Sequence, residues 1–274
     1  MTMKRVQTNG IELAVLDEGT GDPVLLLHGF PDDHHVWRKQ VGDLVSAGYR
    51  VIAPDLRGCG QSDMPSRTDA YKIPLLLADI TGLLDALGIA RVSLVAHDWG
   101  AVIGWQFCMA HPDRVTRYAA LSVGHPVAYA RGPLIQKIKG WYVLMFQLRG
   151  ITETLLRAGN WFAFRHTTGC AEELPYWIAN LSRPGRLTAG IDYYRANFGT
   201  LFGRPANTRV PMPVLGVWSD RDRYLCRKQM TGSADFVDGG FRYVELPGVG
   251  HWMTIDAARE VNALLLEFLG EPAQ

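Results

Sequence analysis

Cysteine is scarce. Cys59, Cys108, Cys170 and Cys226 lie far apart with no C-x-x-C pair, so neither a disulfide framework nor a zinc site has support, and reduced, buried or half-buried thiols are expected. An excess of charge of either sign is also missing. With 28 Lys and Arg against 27 Asp and Glu the chain carries a net charge of +1, and no dense basic cluster marks a footprint for nucleic acid or an anionic membrane. No run is long and apolar enough to span a bilayer, and the opening "MTMKRVQTNGIELAVLDEG" has no apolar core of a secretion signal, so a soluble, cytoplasmic protein without membrane or nucleic-acid partners is expected. Internal repeats and low-complexity tracts are lacking too. What remains is a chain of 274 residues, 47% hydrophobic, long enough to bury the core of one large domain or a domain with an insertion.

Strand signals come first. Asn9-Gly10 between two strand-like runs predicts an opening hairpin. The runs "PVLLLHG", "RVIAPDL", "RVSLVAH" and "RYAALSVG" are short and continuously apolar, as in parallel strands buried on both faces. Helical periods separate them, with Trp37, Val41, Leu44 and Val45 in one and Leu76, Ile80, Leu83, Leu84 and Leu87 in another. Alternation of this kind predicts an α/β fold with a mostly parallel sheet flanked by helices. It stops near Gly124 and returns at "PVLGVWS", followed by "FRYVELPG" and a last helix carrying Val261, Leu264, Leu265 and Phe268. The intervening stretch lacks sheet runs and is dense in aromatics, so residues 125–210 are expected to form a helical lid inserted into a core of residues 1–124 and 211–274. Most of those aromatics are expected to pack inside the lid.

An α/β sheet binds ligands beyond the carboxyl ends of its strands. Asp98 follows "RVSLVA", Asp220 and Asp222 follow "PVLGVWS", and His251 follows "FRYVELPG". Alone, an Asp in a turn is ordinarily a cap, a His a packed residue, and "SDRD" a solvated run. Together, in the order nucleophile, acid, histidine, they follow the chain order of the α/β-hydrolases, and Asp98 stands in "AHDWG" where a serine would stand in G-x-S-x-G.

With "HGFP" at 28–31, "DLRGCGQSDMP" at 55–65, "AHDWGA" around Asp98 and "GVGHW" ending at Trp252, the chain resembles α/β-hydrolases of the epoxide hydrolase and haloalkane dehalogenase branch over essentially its whole length. The resemblance implies the α/β-hydrolase fold. It favours Asp222 over Asp220 as the acid orienting His251, and it adds the backbone N–H of Phe30 to that of Trp99 as oxyanion donors. The branch usually has an aromatic residue at the position of Cys59 and glycine at that of Ser219; neither departure touches a reacting group.

An aspartate at the elbow changes the electrophile. Its carboxylate is already an anion at neutral pH. Attack on an acyl group would give a reactive anhydride, whereas attack on saturated carbon gives a stable alkyl ester, which suits epoxides and alkyl halides. Water must then clear the ester, and His251 is the base expected to activate it. An opened epoxide also needs a proton donor for its alkoxide. Tyr142 in "GWYVLMFQ" and Tyr194 in "IDYYRANF" resemble the lid tyrosines of epoxide hydrolases, with Tyr193 as the neighbour that a one-residue error would select. Pro31, Trp141, Phe146, Tyr193 and Trp252 are expected to line the substrate pocket. His28, His34 and His35 lack a third-ligand pattern, so structural roles are expected for them and no metal or other cofactor is called for. The sequence therefore reads as an epoxide hydrolase acting on a small apolar epoxide and water. A haloalkane or haloacid dehalogenase and a non-catalytic ligand receptor on the same scaffold are the alternatives, and the oligomeric state is not legible.

Overall fold

A computed structural model describes residues 3–199 and 208–271. The chain opens with an antiparallel hairpin, β1 (Met3–Thr8) and β2 (Ile11–Glu18). Its turn puts both Asn9 (φ 41°) and Gly10 (φ 75°) at positive φ, as the Asn-Gly pair predicts. Six strands follow: β3 (Pro23–Leu27), β4 (Arg50–Pro54), β5 (Val92–His97), β6 (Val115–Leu121), β7 (Val214–Ser219) and β8 (Phe241–Leu246). They form one sheet in the order β1-β2-β4-β3-β5-β6-β7-β8. Every pair from β4 to β8 is parallel, and only β1–β2 and β2–β4 are antiparallel.

The apolar runs explain the centre of this sheet. Leu25, Leu26, Leu27, Leu94, Val95 and Ala96 are fully buried, which requires cover on both faces. Helices α1 (Arg38–Ser46), α2 (Ile73–Ala86) and α3 (Trp99–Ala110) connect the early strands.

Between β6 and β7 the described chain is helical: α4 (Pro126–Ala130), α5 (Leu134–Lys139), α6 (Trp141–Met145), α7 (Ile151–Thr167), α8 (Leu174–Ser182) and α9 (Arg186–Ala196). Helix α7 is broken in the middle, where Gly159, Asn160 and Trp161 all take left-handed backbone. Trp161, Phe164 and Trp177 are buried in this insertion, but Phe162 and Trp141 are more than half exposed, so packing accounts for only part of its aromatic content. Helices α10 (Arg227–Thr231), α11 (Met253–Asp256) and α12 (Ala258–Gly270) complete the chain. Helix α12 packs on α1, α2 packs on α3, and α4 packs on α10. All four cysteines are free thiols. Among the described residues no helix is long and apolar enough to cross a membrane.

The turn from β5 into α3 depends on close backbone approach. A Cβ at Gly100 would lie 2.1 Å from the carbonyl oxygen of Leu27 and 2.6 Å from that of His28. Since both atoms are backbone, the loop after β3 would have to move. Gly100→Ala is therefore expected to cost about 1–3 kcal/mol of stability, read as a lowered urea midpoint, and an unchanged midpoint would show that the two loops are not pressed together.

Candidate active site

The ends of four parallel strands converge on Asp98. It sits between β5 and α3 with φ 52° and ψ −123°, a left-handed conformation that a non-glycine residue adopts only when its surroundings enforce it. Here the small residues do so: a Cβ on Gly29 would fall 2.3 Å from Asp98 Oδ1. The carboxylate is bound at both ends. Its Oδ1 accepts the N–H of Phe30 at 2.8 Å, and its Oδ2 lies 3.4 Å from His251 Nε2. Burial pushes this carboxyl upward, but the hydrogen bond and charge of His251, with the Phe30 N–H, outweigh it and hold Asp98 below the ordinary aspartate value.

His251 donates from Nδ1 to Asp222 Oδ2 at 2.8 Å. Asp222 is buried and held by the N–H groups of Tyr224 and Leu225 on its Oδ1, at 2.8 and 2.9 Å. Asp220, the other candidate, is exposed and accepts the N–H of Gly248 at 2.7 Å. Burial alone would depress the His251 imidazole, yet the two carboxylates beside it raise its pKa to about 10. The two carboxylates thus favour the charged form of the imidazole.

Two residues not singled out in the sequence fix the backbone of His251. His97 Nε2 donates to its carbonyl at 3.0 Å and Ser122 Oγ at 3.2 Å. Burial and the charge of His251 depress His97 to about 4, which keeps it a neutral donor. Ser219, standing where glycine is usual in the branch, donates its hydroxyl to the Gly250 carbonyl at 2.7 Å and so steadies the same loop.

Above Asp98 lies a mostly apolar cavity of about 480 Å³, lined by Phe30, Pro31, Trp141, Tyr142, Met145, Phe146, Tyr194, Tyr224, His251 and Trp252 among others. A smaller recess of about 70 Å³, walled by Trp99, Val102 and Tyr129, opens on the same Asp98, Tyr142, Tyr194 and Tyr224. The bond between Phe30 and Pro31 is cis. Tyr142 and Tyr194 meet edge to face with ring centroids 5.9 Å apart, and burial, first among the causes, drives both phenols well above the usual tyrosine value.

Tyr193 does not line the cavity, contrary to expectation. Its hydroxyl donates to the Arg57 carbonyl at 2.7 Å, and its ring packs on Tyr71 and Trp99. Consecutive residues of α9 point about 100° apart, so only one of the tyrosine pair can face Asp98, and that one is Tyr194.

Tyr224 and Asp32 escaped the sequence reading. Tyr224 stands edge-on to His251, with centroids 5.1 Å apart, and donates its hydroxyl to the Thr167 carbonyl at 2.8 Å. Asp32 accepts the indole N–H groups of Trp177 at 2.7 Å and Trp252 at 3.0 Å and so sets the cavity wall. Of the histidines near Pro31, His28 accepts the N–H of Leu56, His34 is bonded to Asp55 and His35 stacks on Tyr176. Asp33, His34 and Asp55 approach one another closely enough for a cation, but Asp33 already accepts from Tyr176 and Asn180, and Asp55 from His34 and Gln61.

Comparison with known proteins bears on the fold and its relatives. The alpha/beta hydrolase fold family matches residues 22–258. Epoxide hydrolase 3 of Xenopus tropicalis is 34% identical over 97% of the chain and 77% of its own length, and epoxide hydrolase A of Mycobacterium tuberculosis is 34% identical over 98% and 97%. The crystal structure of epoxide hydrolase A from Mycobacterium thermoresistibile superposes with a TM-score of 0.84 at 30% identity, covering 100% of this chain and 99% of that one.

The pKa of His251 ties stability to pH. It rises from 6.5 to about 10 on folding, so the contribution is fully present below 6.5 and is lost as pH climbs through about 10. The stability difference between the unaltered protein and His251→Gln should accordingly narrow between those pH values in urea unfolding; a difference that stays constant would mean the ring is neutral throughout.

Proposed function

The chain belongs to the α/β-hydrolase fold family together with epoxide hydrolases, and from this premise we propose that it hydrolyses a small apolar epoxide to a vicinal diol through an alkyl ester on Asp98. The observation that carries the reading is a half-buried carboxylate with one oxygen on a backbone N–H and the other beside a histidine, in a cavity that Tyr142 and Tyr194 also line.

Asp98 Oδ2 attacks an epoxide carbon, the carbon–oxygen bond of the ring breaks, and the alkoxide takes a proton from Tyr142 or Tyr194. Burial disfavours the phenolate, but it disfavours the alkoxide beside it as well, and a phenol is intrinsically a far stronger acid than an alcohol. Esterification removes the negative charge of Asp98. One of the two anions beside His251 is then gone, its proton affinity falls, and the ring can serve as base once its proton has passed out. His251 next takes a proton from water, which attacks Asp98 Cγ. The oxyanion develops on Oδ1, where the N–H of Phe30 already lies at 2.8 Å, joined by that of Trp99 at the start of α3. Collapse expels the Oδ2 oxygen, which takes the remaining proton of the attacking water and leaves as a hydroxyl of the diol. The oxygen of water stays on the Asp98 carboxylate, and the proton that His251 gave up restores the phenol. Asp222 orients the imidazole. Residues 125–210, of which 200–207 lie outside the described residues, act as a lid over the core formed by the described parts of 1–124 and 211–274, and Pro31, Trp141, Phe146 and Trp252 bound the substrate. No step calls for a cofactor.

Replacing the base should trap the ester. His251→Gln incubated with a small aryl epoxide is expected to gain the mass of the whole epoxide, and adding Asp98→Asn should abolish the adduct. A gain of only an alkyl group from a chloroalkane, with chloride released, would make the protein a dehalogenase. The acids are tested separately: Tyr194→Phe and Tyr142→Phe should each lower the single-turnover rate of ester formation, and together by about 10²–10⁴. Unchanged rates would reduce both rings to cavity walls.

A further inference from the structure

Among the described residues ten large apolar side chains are exposed, and nine of them fall between residues 134 and 162 on α5, α6, α7 and the turn before α7. Leu134, Ile138, Trp141, Leu144, Leu148 and Ile151 recur at intervals of three or four, and each is at least half exposed. Single exposed apolar residues need no explanation, but a concentration of this kind marks a binding surface.

The charge of the same segment is as uneven. Residues 131–165 hold Arg131, Lys137, Lys139, Arg149, Arg157 and Arg165 against the single acid Glu153, a local charge of +5 in a chain whose total is +1. Glu153 is buried and already bonded to Arg195. Among the described residues none of the six cations has a carboxylate partner. Lys139, Arg157 and Arg165 donate to backbone carbonyls, Arg149 to the Thr68 hydroxyl, and Arg131 lies over the Phe236 ring.

We propose that the outer face of α5–α7 seats the protein on an anionic lipid surface. An exposed apolar segment interspersed with cations and carrying a tryptophan has the composition of an interfacial helix and not of a spanning one. A second copy of the chain fits less well, because an isologous contact would set the same cations against themselves. The face also continues into the candidate site: Trp141 and Leu155 are exposed and line the 480 Å³ cavity. An apolar substrate dissolved in the bilayer would thus enter without crossing water. That last step rests on the epoxide reading, whereas the docking itself rests only on the surface.

Sedimentation with vesicles tests the docking without reference to activity. The protein should pellet with vesicles of equimolar phosphatidylcholine and phosphatidylglycerol, less so as salt is raised, and poorly with phosphatidylcholine alone. Leu144→Gln/Leu148→Gln/Ile151→Gln should weaken partition. Lys137→Gln/Arg149→Gln/Arg165→Gln should weaken it on the order of 100-fold, at about fivefold for each cation removed. Both variants should keep the unaltered activity on a small water-soluble epoxide, or the unaltered unfolding midpoint if no such activity exists; where one misfolds, the other decides. A protein that stays in the supernatant with anionic vesicles overturns the proposal. So does a dimer, seen by sedimentation equilibrium, that the apolar triple variant dissolves, since the face would then belong to a second copy.

Discussion

The imidazole of His251 lies between two carboxylates, and the rest of the site is arranged to make that tolerable. Three charged groups in a buried place cost several kcal/mol each unless every lone pair and proton finds a partner. They do: Asp222 Oδ1 takes two backbone N–H groups, Asp98 Oδ1 takes that of Phe30, and the ring bridges the remaining oxygens. The donors come from the loops after β7 and β3 and the ring from the loop after β8. With Asp98 itself in the turn after β5, an electrostatic requirement at one residue thus holds four loops in register at one end of the sheet.

The same convergence explains why glycine and strain gather here. For Asp98 to reach the Phe30 N–H, the turn after β5 must press against the loop after β3, which leaves no room for a Cβ on Gly29 or Gly100. The backbone at Asp98 is strained as a result, and neighbouring packing offsets the cost. His97 contributes from the adjacent position, where its neutral ring ties the end of β5 to the carbonyl of His251. It can do so only because burial keeps its pKa near 4; an imidazolium so close to His251 would oppose the very charge that the two carboxylates favour.

Much of this was legible in the sequence, for a physical reason. Strands buried on both faces must read as apolar runs, and the loops beyond them must carry whatever chemistry the sheet presents, so Asp98 and His251 stood out by position. The choice between Asp222 and Asp220 was harder: in a tight turn, two residues decide whether a carboxylate points at the imidazole or into solvent, and composition is the same for both. The difference between Tyr193 and Tyr194 is one step of helical phase, which depends on where α9 begins and how it packs. Tyr224 and Asp32 left no local signal. Tyr224 matters because it meets His251 across the fold, and Asp32 because two indoles from distant segments need one acceptor. The basic character of α5–α7 was hidden in a net charge near zero, because acids elsewhere cancel it in the sum but not in space.

The insertion between β6 and β7 meets a requirement of the proposed chemistry. A proton donor for the alkoxide and a base for water are needed at the same carboxylate, and each must be held in its own place beside it. The sheet carries His251 and the insertion carries Tyr142 and Tyr194, so the proposed base and the proposed acids reach Asp98 from separate elements. Tyr224 packs against one member of each set, with ring centroids 5.1 Å from His251 and 5.5 Å from Tyr142, while its own hydroxyl is committed to the Thr167 carbonyl. Burial favours the protonated phenols of Tyr142 and Tyr194 in their apolar cavity, which is the form that the proposed proton transfer to an alkoxide requires.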